Sequence, residues 1–317
     1  MGDKPASDDV SDDTLRTPTL STEPPQADPN RDAAGRQLAP GLYVVATPIG
    51  NLADLTVRAR DVLATADVIA CEDTRTTARL LKAHGIETPT TPYHDHNAPR
   101  ARPALLKKLD GGARVALVSD AGTPLISDPG YKLVRAAIDA DHPVVPVPGP
   151  SAPIAALCAS GLPTDRFFFY GFLPAKKQAR RRALETLAAV PATLVFFESA
   201  KRLSATVADL ADMFGARDAV IAREVTKLYE EFRRGSLAGL ATALAEDGPP
   251  RGEVVLLVGP PDETAMEVSD EEVDRLLRQA LADGSTRDAA SRVAAETGRP
   301  RRALYDRAVA LKDADLT

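Results

Sequence analysis

The 317-residue sequence has no tryptophan, only 4% aromatic residues and just two cysteines. With so few rings available, Ala, Val and Leu must do the packing, and a 44% hydrophobic content is enough to fill real cores. Cys71 and Cys158 match no metal-ligand or redox spacing, so both are expected to be reduced core thiols in a cytoplasmic protein. His-x-x-x-His, Cys-x-x-Cys and Gly-x-Ser-x-Gly are missing, which argues against metal-assisted hydrolysis and acyl transfer. The Walker phosphate loop and the Gly-x-Gly-x-x-Gly dinucleotide turn are missing too. No apolar run approaches the roughly 20 residues that span a bilayer, so a soluble protein is expected. Excess positive charge is also lacking. A net charge of −6 argues against a general nucleic-acid coat but permits a local basic patch.

Residues 1–40 are rich in Asp, Pro, Ser and Thr and hold few large apolar side chains, so they read as an acidic disordered tail. They lack the basic and apolar regions of a secretory signal. From Gly41 onward, short β-branched runs alternate with helical spacing. Leu42–Ala46, Asp67–Cys71, Val115–Val118 and Val144–Val147 are the apolar strands. This alternation predicts a mainly parallel α/β sheet with helices on both faces over residues 41–149. Strands are closer together in residues 150–262, which predicts a second α/β domain with a mixed sheet. Residues 268–317 read as a small helical tail with a helix-turn-helix outline.

Polar residues collect where strands end, the rim at which open α/β sheets place ligands. The loop Ser119-Asp120-Ala121-Gly122-Thr123-Pro124 is long for an α/β connector. With Thr47-Pro48-Ile49-Gly50 and Pro148-Gly149-Pro150-Ser151 it makes three small-residue loops at one sheet edge, where backbone can approach a flat ligand closely. Glu72-Asp73-Thr74-Arg75 and His94-Asp95-His96-Asn97 end two further strands.

Taken in order, these motifs, with Asp128-Pro129-Gly130 and Gly171-Phe172-Leu173-Pro174, resemble the small-subunit ribosomal RNA cytidine 2′-O-methyltransferases of the tetrapyrrole-methylase superfamily. The resemblance runs from about Gly41 to Pro260 and continues into the helical tail. It implies two α/β domains, S-adenosylmethionine in the cleft between them, a homodimer, and a cytidine near the decoding site of 16S rRNA as acceptor. By motif position it places Pro48, Asp120, Ala121, Gly122, Thr123, Ser151, Ala152, Phe172, Leu173, Ala222 and Glu253 around the cofactor. A porphyrin-type methylase and a cofactor- or RNA-binding module without transfer activity are the alternatives.

A ribose 2′-hydroxyl attacks only as its proton is withdrawn, a task suited to a carboxylate or neutral imidazole. Glu72, His94 and His96 are the candidates for that step. Asp73, Arg75 and Asn97 flank them as candidate substrate contacts. Asp73 can equally cap a helix, with Arg75 paired back to it. RNA also requires positive charge. The basic run Lys176, Lys177, Arg180 and Arg181 is one candidate patch, with a solvated helix face as its plain reading. Arg301 and Arg302, at the start of a helix in the tail, are the other.

Overall fold

A computed structural model of the chain describes residues 38–248, 250–261, 270–297 and 299–314. The segment expected to be disordered lies almost wholly outside the described residues.

The first domain is built from β1 (Gly41–Val45), α1 (Val57–Thr65), β2 (Val68–Cys71), α2 (Thr74–Ala83), β3 (Thr90–Pro92), α3 (Ala98–Asp110), β4 (Arg114–Val118), α4 (Tyr131–Asp139) and β5 (Val144–Val147). Its sheet runs β3-β2-β4-β1-β5, every pair parallel. Strand alternation sends successive side chains to opposite faces. Tyr43, Val45, Ile69, Cys71, Ala116 and Val118 meet α1 and α2. Leu42, Val68, Ala70, Val115 and Leu117 meet α3 and α4. Both faces are covered, as the near-continuous apolar runs predict. Pro92 and Pro146 fall on the edge strands β3 and β5, where a missing N–H does not interrupt the ladder. Thr56 caps α1 as its sequence suggests, its hydroxyl accepting from the Ala59 N–H at 3.1 Å.

The second domain comprises α5 (Ala152–Ser160), β6 (Phe167–Phe172), α6 (Lys177–Leu187), β7 (Thr193–Ser199), α7 (Ala200–Phe214), β8 (Asp218–Arg223), β9 (Glu231–Ser236), α8 (Leu237–Asp247) and β10 (Glu253–Val258). The sheet order is β6-β7-β10-β8-β9. β6 and β7 are parallel and the other pairs antiparallel, so the sheet is mixed, as expected. Its two faces differ. Leu194, Phe196, Ile221 and Leu256 pack under α6, α7 and α8. Val195, Val220, Val255 and Leu257 meet Ala156 and Leu157 of α5.

The tail folds as α9 (Asp270–Asp283), α10 (Thr286–Thr297) and α11 (Arg301–Ala314) around Val273, Leu277, Val293 and Leu304. One expectation about the cysteines is corrected. Cys71 is buried in the first core, but Cys158 is exposed, because the helical period of α5 turns it away from Ala156 and Leu157.

Candidate active site

A cavity of about 390 Å³ opens between the two domains. That is within the usual range of small-molecule pockets. The first domain supplies Ile49, the loop residues Ala121, Gly122 and Thr123, and Asp128. From the second come Ser151 and Ala152 at the start of α5, Phe172 and Phe197 of β6 and β7, Ala222 of β8, and Glu253 and Val255 of β10.

The first-domain wall is held by backbone. Thr47 and Gly122 exchange a pair of hydrogen bonds, Thr47 N–H to Gly122 C=O at 2.9 Å and Gly122 N–H to Thr47 C=O at 3.0 Å. Gly122 has φ +80°, and an added Cβ would lie 3.3 Å from Ile49 Cγ2, so a side chain there would press into the cradle. The Thr123 hydroxyl donates to the Pro150 carbonyl at 3.1 Å, tying this loop to the start of the second domain. The next loop residues are strained: Leu125 and Ser127 both have positive φ, at 73° and 65°. Ser127 meets the second domain at Gly171, where an added Cβ would come within 2.9 Å of Ser127 Oγ. Gly171, at φ +81°, follows the register shift in β6.

A second junction lies at the turn after β1. An added Cβ on Gly50 would collide with the Lys227 stem, so the glycine makes room for a side chain from the other domain. Lys227 Nζ bonds Glu224 at 2.9 Å and the cavity residue Glu253 at 3.0 Å.

Of the residues expected around a cofactor, Ala121, Gly122, Thr123, Ser151, Ala152, Phe172, Ala222 and Glu253 line the cavity. Three do not. Pro48 is buried and does not reach the cavity wall. Leu173, one residue beyond the end of β6, belongs to the second-domain core, and its carbonyl accepts from the Arg202 guanidinium at 2.6 Å. Asp120 turns aside, its carboxylate accepting the Asp73 N–H at 3.0 Å. That bond links the cavity loop to the rim above β2.

At this rim Asp73 caps α2, accepting the Arg75 N–H at 2.8 Å and pairing with the Arg75 guanidinium at 2.7 Å. Arg75 therefore holds its carboxyl well below the ordinary range, at about 2. Asn97 is also committed to structure. Its Oδ1 accepts the His94 N–H and its Nδ2 donates to the Pro92 carbonyl, both at 2.9 Å, closing the turn between β3 and α3. Asp73 thus takes the capping role, with Arg75 paired back to it, which is the other reading of this motif, and the Asn97 amide is spent on the turn, which corrects the expectation that it contacts substrate. The His94 and His96 rings stand 6.1 Å apart, edge to face.

Glu72 is half-buried, and burial raises its carboxyl above the ordinary value, reinforced by Asp120, Asp128, Asp95 and Asp73. Asp128 is raised by burial and by Asp120, against the opposing Ser119 hydroxyl. Sequence reasoning named Asp128 only within a motif. Its place in the cavity wall depends on the turn at Leu125–Ser127. It also missed Glu198, a cavity-wall carboxylate only 3% exposed that accepts from the Ser199 N–H at 2.7 Å and the Thr206 hydroxyl at 2.7 Å.

The basic run is corrected most. Arg180 is 4% exposed and points inward, its guanidinium 2.6 Å from Asp209. Arg181 pairs with Asp212 at 2.6 Å and reaches Asp209 at 3.4 Å. Lys176 and Lys177 are exposed, with Lys177 Nζ 4.0 Å from Asp209. Arg301 and Arg302 are exposed in the first turn of α11 and have no ion pair among the described residues. No grouping of metal-ligating side chains occurs among the described residues, and no described helix is long and apolar enough to cross a membrane.

Comparison with known proteins agrees with this architecture. Residues 41–241 match the family model "Tetrapyrrole (Corrin/Porphyrin) Methylases", and residues 267–312 match "RsmI C-terminal HTH domain". The sequence is 54% identical to "Ribosomal RNA small subunit methyltransferase I" of Mesorhizobium japonicum, over 88% of this chain and 94% of the relative. It is 50% identical to the protein of the same name from Xylella fastidiosa, over 83% of this chain and 97% of the relative. Among solved structures, a diphthine synthase superposes with TM-score 0.55 at 15% identity, covering 69% of this chain and 89% of that one. The cobalamin-biosynthetic enzyme cobalt precorrin-4 methyltransferase superposes with TM-score 0.52 at 18% identity, covering 69% and 94%. At those identities the likeness is one of fold.

Proposed function

The chain belongs to the tetrapyrrole (corrin/porphyrin) methylase family, and from that premise we propose that it transfers a methyl group from S-adenosylmethionine to the ribose 2′-hydroxyl of a cytidine in the decoding region of 16S rRNA. Methyltransferase activity on small-subunit rRNA follows from its relatives. The atom, the nucleotide and the region are the proposal. The observation that carries it is the interdomain cavity, with the glycine-turned loop Ala121–Thr123 on one side and the aromatic residues Phe172 and Phe197 on the other.

The cavity suits the cofactor. Apolar walls from Ile49, Phe172, Phe197 and Val255 match a flat nucleobase, and the missing Cβ at Gly122 lets the loop backbone approach it. Ser151, Asp128 and Glu253 add polar groups for the ribose and amino-acid parts. When bound, S-adenosylmethionine supplies a methyl group already activated by its sulfonium.

The protein's share is then alignment and proton transfer. Fixing the acceptor oxygen against the methyl carbon removes much of the entropic barrier. The Thr47–Gly122 bridge and the Thr123–Pro150 bond hold the donor side rigid. On the acceptor side, Glu72, His94 and His96 are the groups proposed to take the hydroxyl proton. Burial gives Glu72 a raised proton affinity, which suits a base better than an ordinary carboxylate. Asp73 and Arg75 shape the rim around it, while Lys176, Lys177, Arg301 and Arg302 supply cationic contacts for RNA.

We also propose that the protein works as a cytoplasmic homodimer. Tyr131 and Ile138 of α4 and Phe167 and Phe168 of β6 are exposed apolar side chains that association would cover.

The deciding experiment incubates the protein with radiolabelled S-adenosylmethionine and small ribosomal subunits from cells lacking it. Label on a cytidine ribose is expected. Label on a base, or none, overturns the proposal.

A further inference from the structure

Building on the RNA reading, we infer that the acceptor strand lies across the rim above β2 and β3, its phosphates held by Arg79, Arg100 and Arg102 together with Arg75.

The topology sets these four arginines around one rim, on helices that cover opposite faces of the sheet. β2 and β3 are adjacent and parallel, with Cys71 opposite Pro92, so both chains leave the sheet at one rim. β2 feeds α2 and β3 feeds α3, and the arginines fall within the first two turns of those helices. Neither helix has an acidic residue in its first turn. Arg75 and Arg100 lie in a first turn, where a cation opposes the helix dipole, so helix stability does not explain those two. Guanidinium groups gathered at the starts of two neighbouring helices form a surface for anions.

Exposure points the same way. Arg79 and Arg100 are exposed and Arg102 is half-buried. Arg75 is 87% exposed at its side chain and pairs only with its neighbour Asp73. Arg79, Arg100 and Arg102 have no ion pair among the described residues. Several arginines elsewhere are paired, Arg180 with Asp209, Arg181 with Asp212, Arg299 with Asp270, and Arg307 with Asp270 and Asp274, whereas Arg301 and Arg302 of the tail, like these three, have no ion pair among the described residues.

The rim also connects to the cavity. The Asp73 N–H bonds Asp120, and the residues after Asp120 line the cavity. Its inner part is acidic, with Glu72, Asp95 and Asp120 close together. A phosphate is repelled there and drawn outward to the arginines, while an uncharged ribose hydroxyl can approach. The charge pattern thereby orients the strand with its sugar toward the methyl donor.

The test uses the full-length triple variant Arg79→Ala/Arg100→Ala/Arg102→Ala, with binding to small ribosomal subunits followed across a salt titration. Affinity is expected to fall at least tenfold, and the slope of log K against log salt to shrink by about 2, from roughly 0.7 per single-strand phosphate contact. Cofactor affinity and the melting temperature should both be unchanged. The Arg→Lys triple should retain most of the slope. An unchanged affinity and slope overturns the inference. A weaker affinity with an unchanged slope assigns the rim to a ribosomal protein and overturns it too, as does a lower melting temperature, which would make the arginines structural. If wild-type protein neither binds nor methylates the subunit, it is the functional reading that fails.

Discussion

Replacing Arg180 by methionine separates a structural arginine from an RNA-binding one. Its Nε lies 2.8 Å and a terminal nitrogen 2.6 Å from Asp209 Oδ2, and both side chains are about 5% exposed. Breaking a buried pair by removing one partner typically costs about 3–5 kcal/mol, because a buried charge is left behind. Here Arg181, at 3.4 Å, and Lys177, at 4.0 Å, still face Asp209. The lower end therefore applies, about 3 kcal/mol, or a fall in Tm of roughly 12 °C for a domain of about 110 residues. Replacing both partners, as Arg180→Met/Asp209→Leu, removes the orphaned charge and should return stability to within about 1 kcal/mol of wild type. Thermal and urea unfolding of the four proteins completes the double-mutant cycle. The double variant should bind small ribosomal subunits with wild-type salt dependence. A single variant of unchanged stability but weakened RNA binding would refute this account of Arg180.

Four other outcomes are expected. Gly122→Ala forces a residue with a Cβ into a left-handed turn, at about 1–2 kcal/mol, and crowds Ile49; calorimetry should find cofactor affinity down at least tenfold with RNA affinity unchanged. Glu72 and Asp128 have raised carboxyls, so the stability they contribute is complete below their unfolded values and is lost as pH rises through the folded ones. Asp128→Asn should therefore raise Tm more at pH 7 than at pH 4. Asp73 has the opposite sign: its contribution holds above the ordinary carboxylate value and is lost as pH falls through about 2, so Asp73→Ala should lower Tm at pH 7 and not at pH 2. Finally, a thiol reagent should modify Cys158 in the native protein and Cys71 only after unfolding, since Cys71 is buried and burial raises its thiol pKa.

Much of the fold was legible because its strands are written plainly. β1, β2 and β4 are apolar runs buried on both faces, and such runs admit few other placements. β9 was not legible. Its sequence, Glu231-Phe232-Arg233-Arg234-Gly235-Ser236, has no apolar alternation, because an edge strand with no buried side chain requires none. Arg180 did leave a trace. Arg180, Leu184 and Leu187 follow the i, i+4, i+7 spacing of a buried stripe, and all three are buried in α6. Charge alone made the run look solvent-facing.

Local chemistry settled by the sequence itself includes the small-residue loops, the Thr56 and Asp73 caps, and the clustering of polar residues at strand ends. These depend on steric and hydrogen-bonding preferences within a few residues, so the order of amino acids determines them. Tertiary structure alone decided which of those residues share a surface. It brought Ile49, Gly122, Phe172 and Glu253 to one cavity. It spent Asn97 on closing a turn, paired Arg180 inside a core, and left Arg79, Arg100 and Arg102 outside any ion pair among the described residues. Pairing and burial depend on groups distant in sequence, such as Arg180 and Asp209, 29 residues apart. Only the folded chain brings such groups within bonding distance.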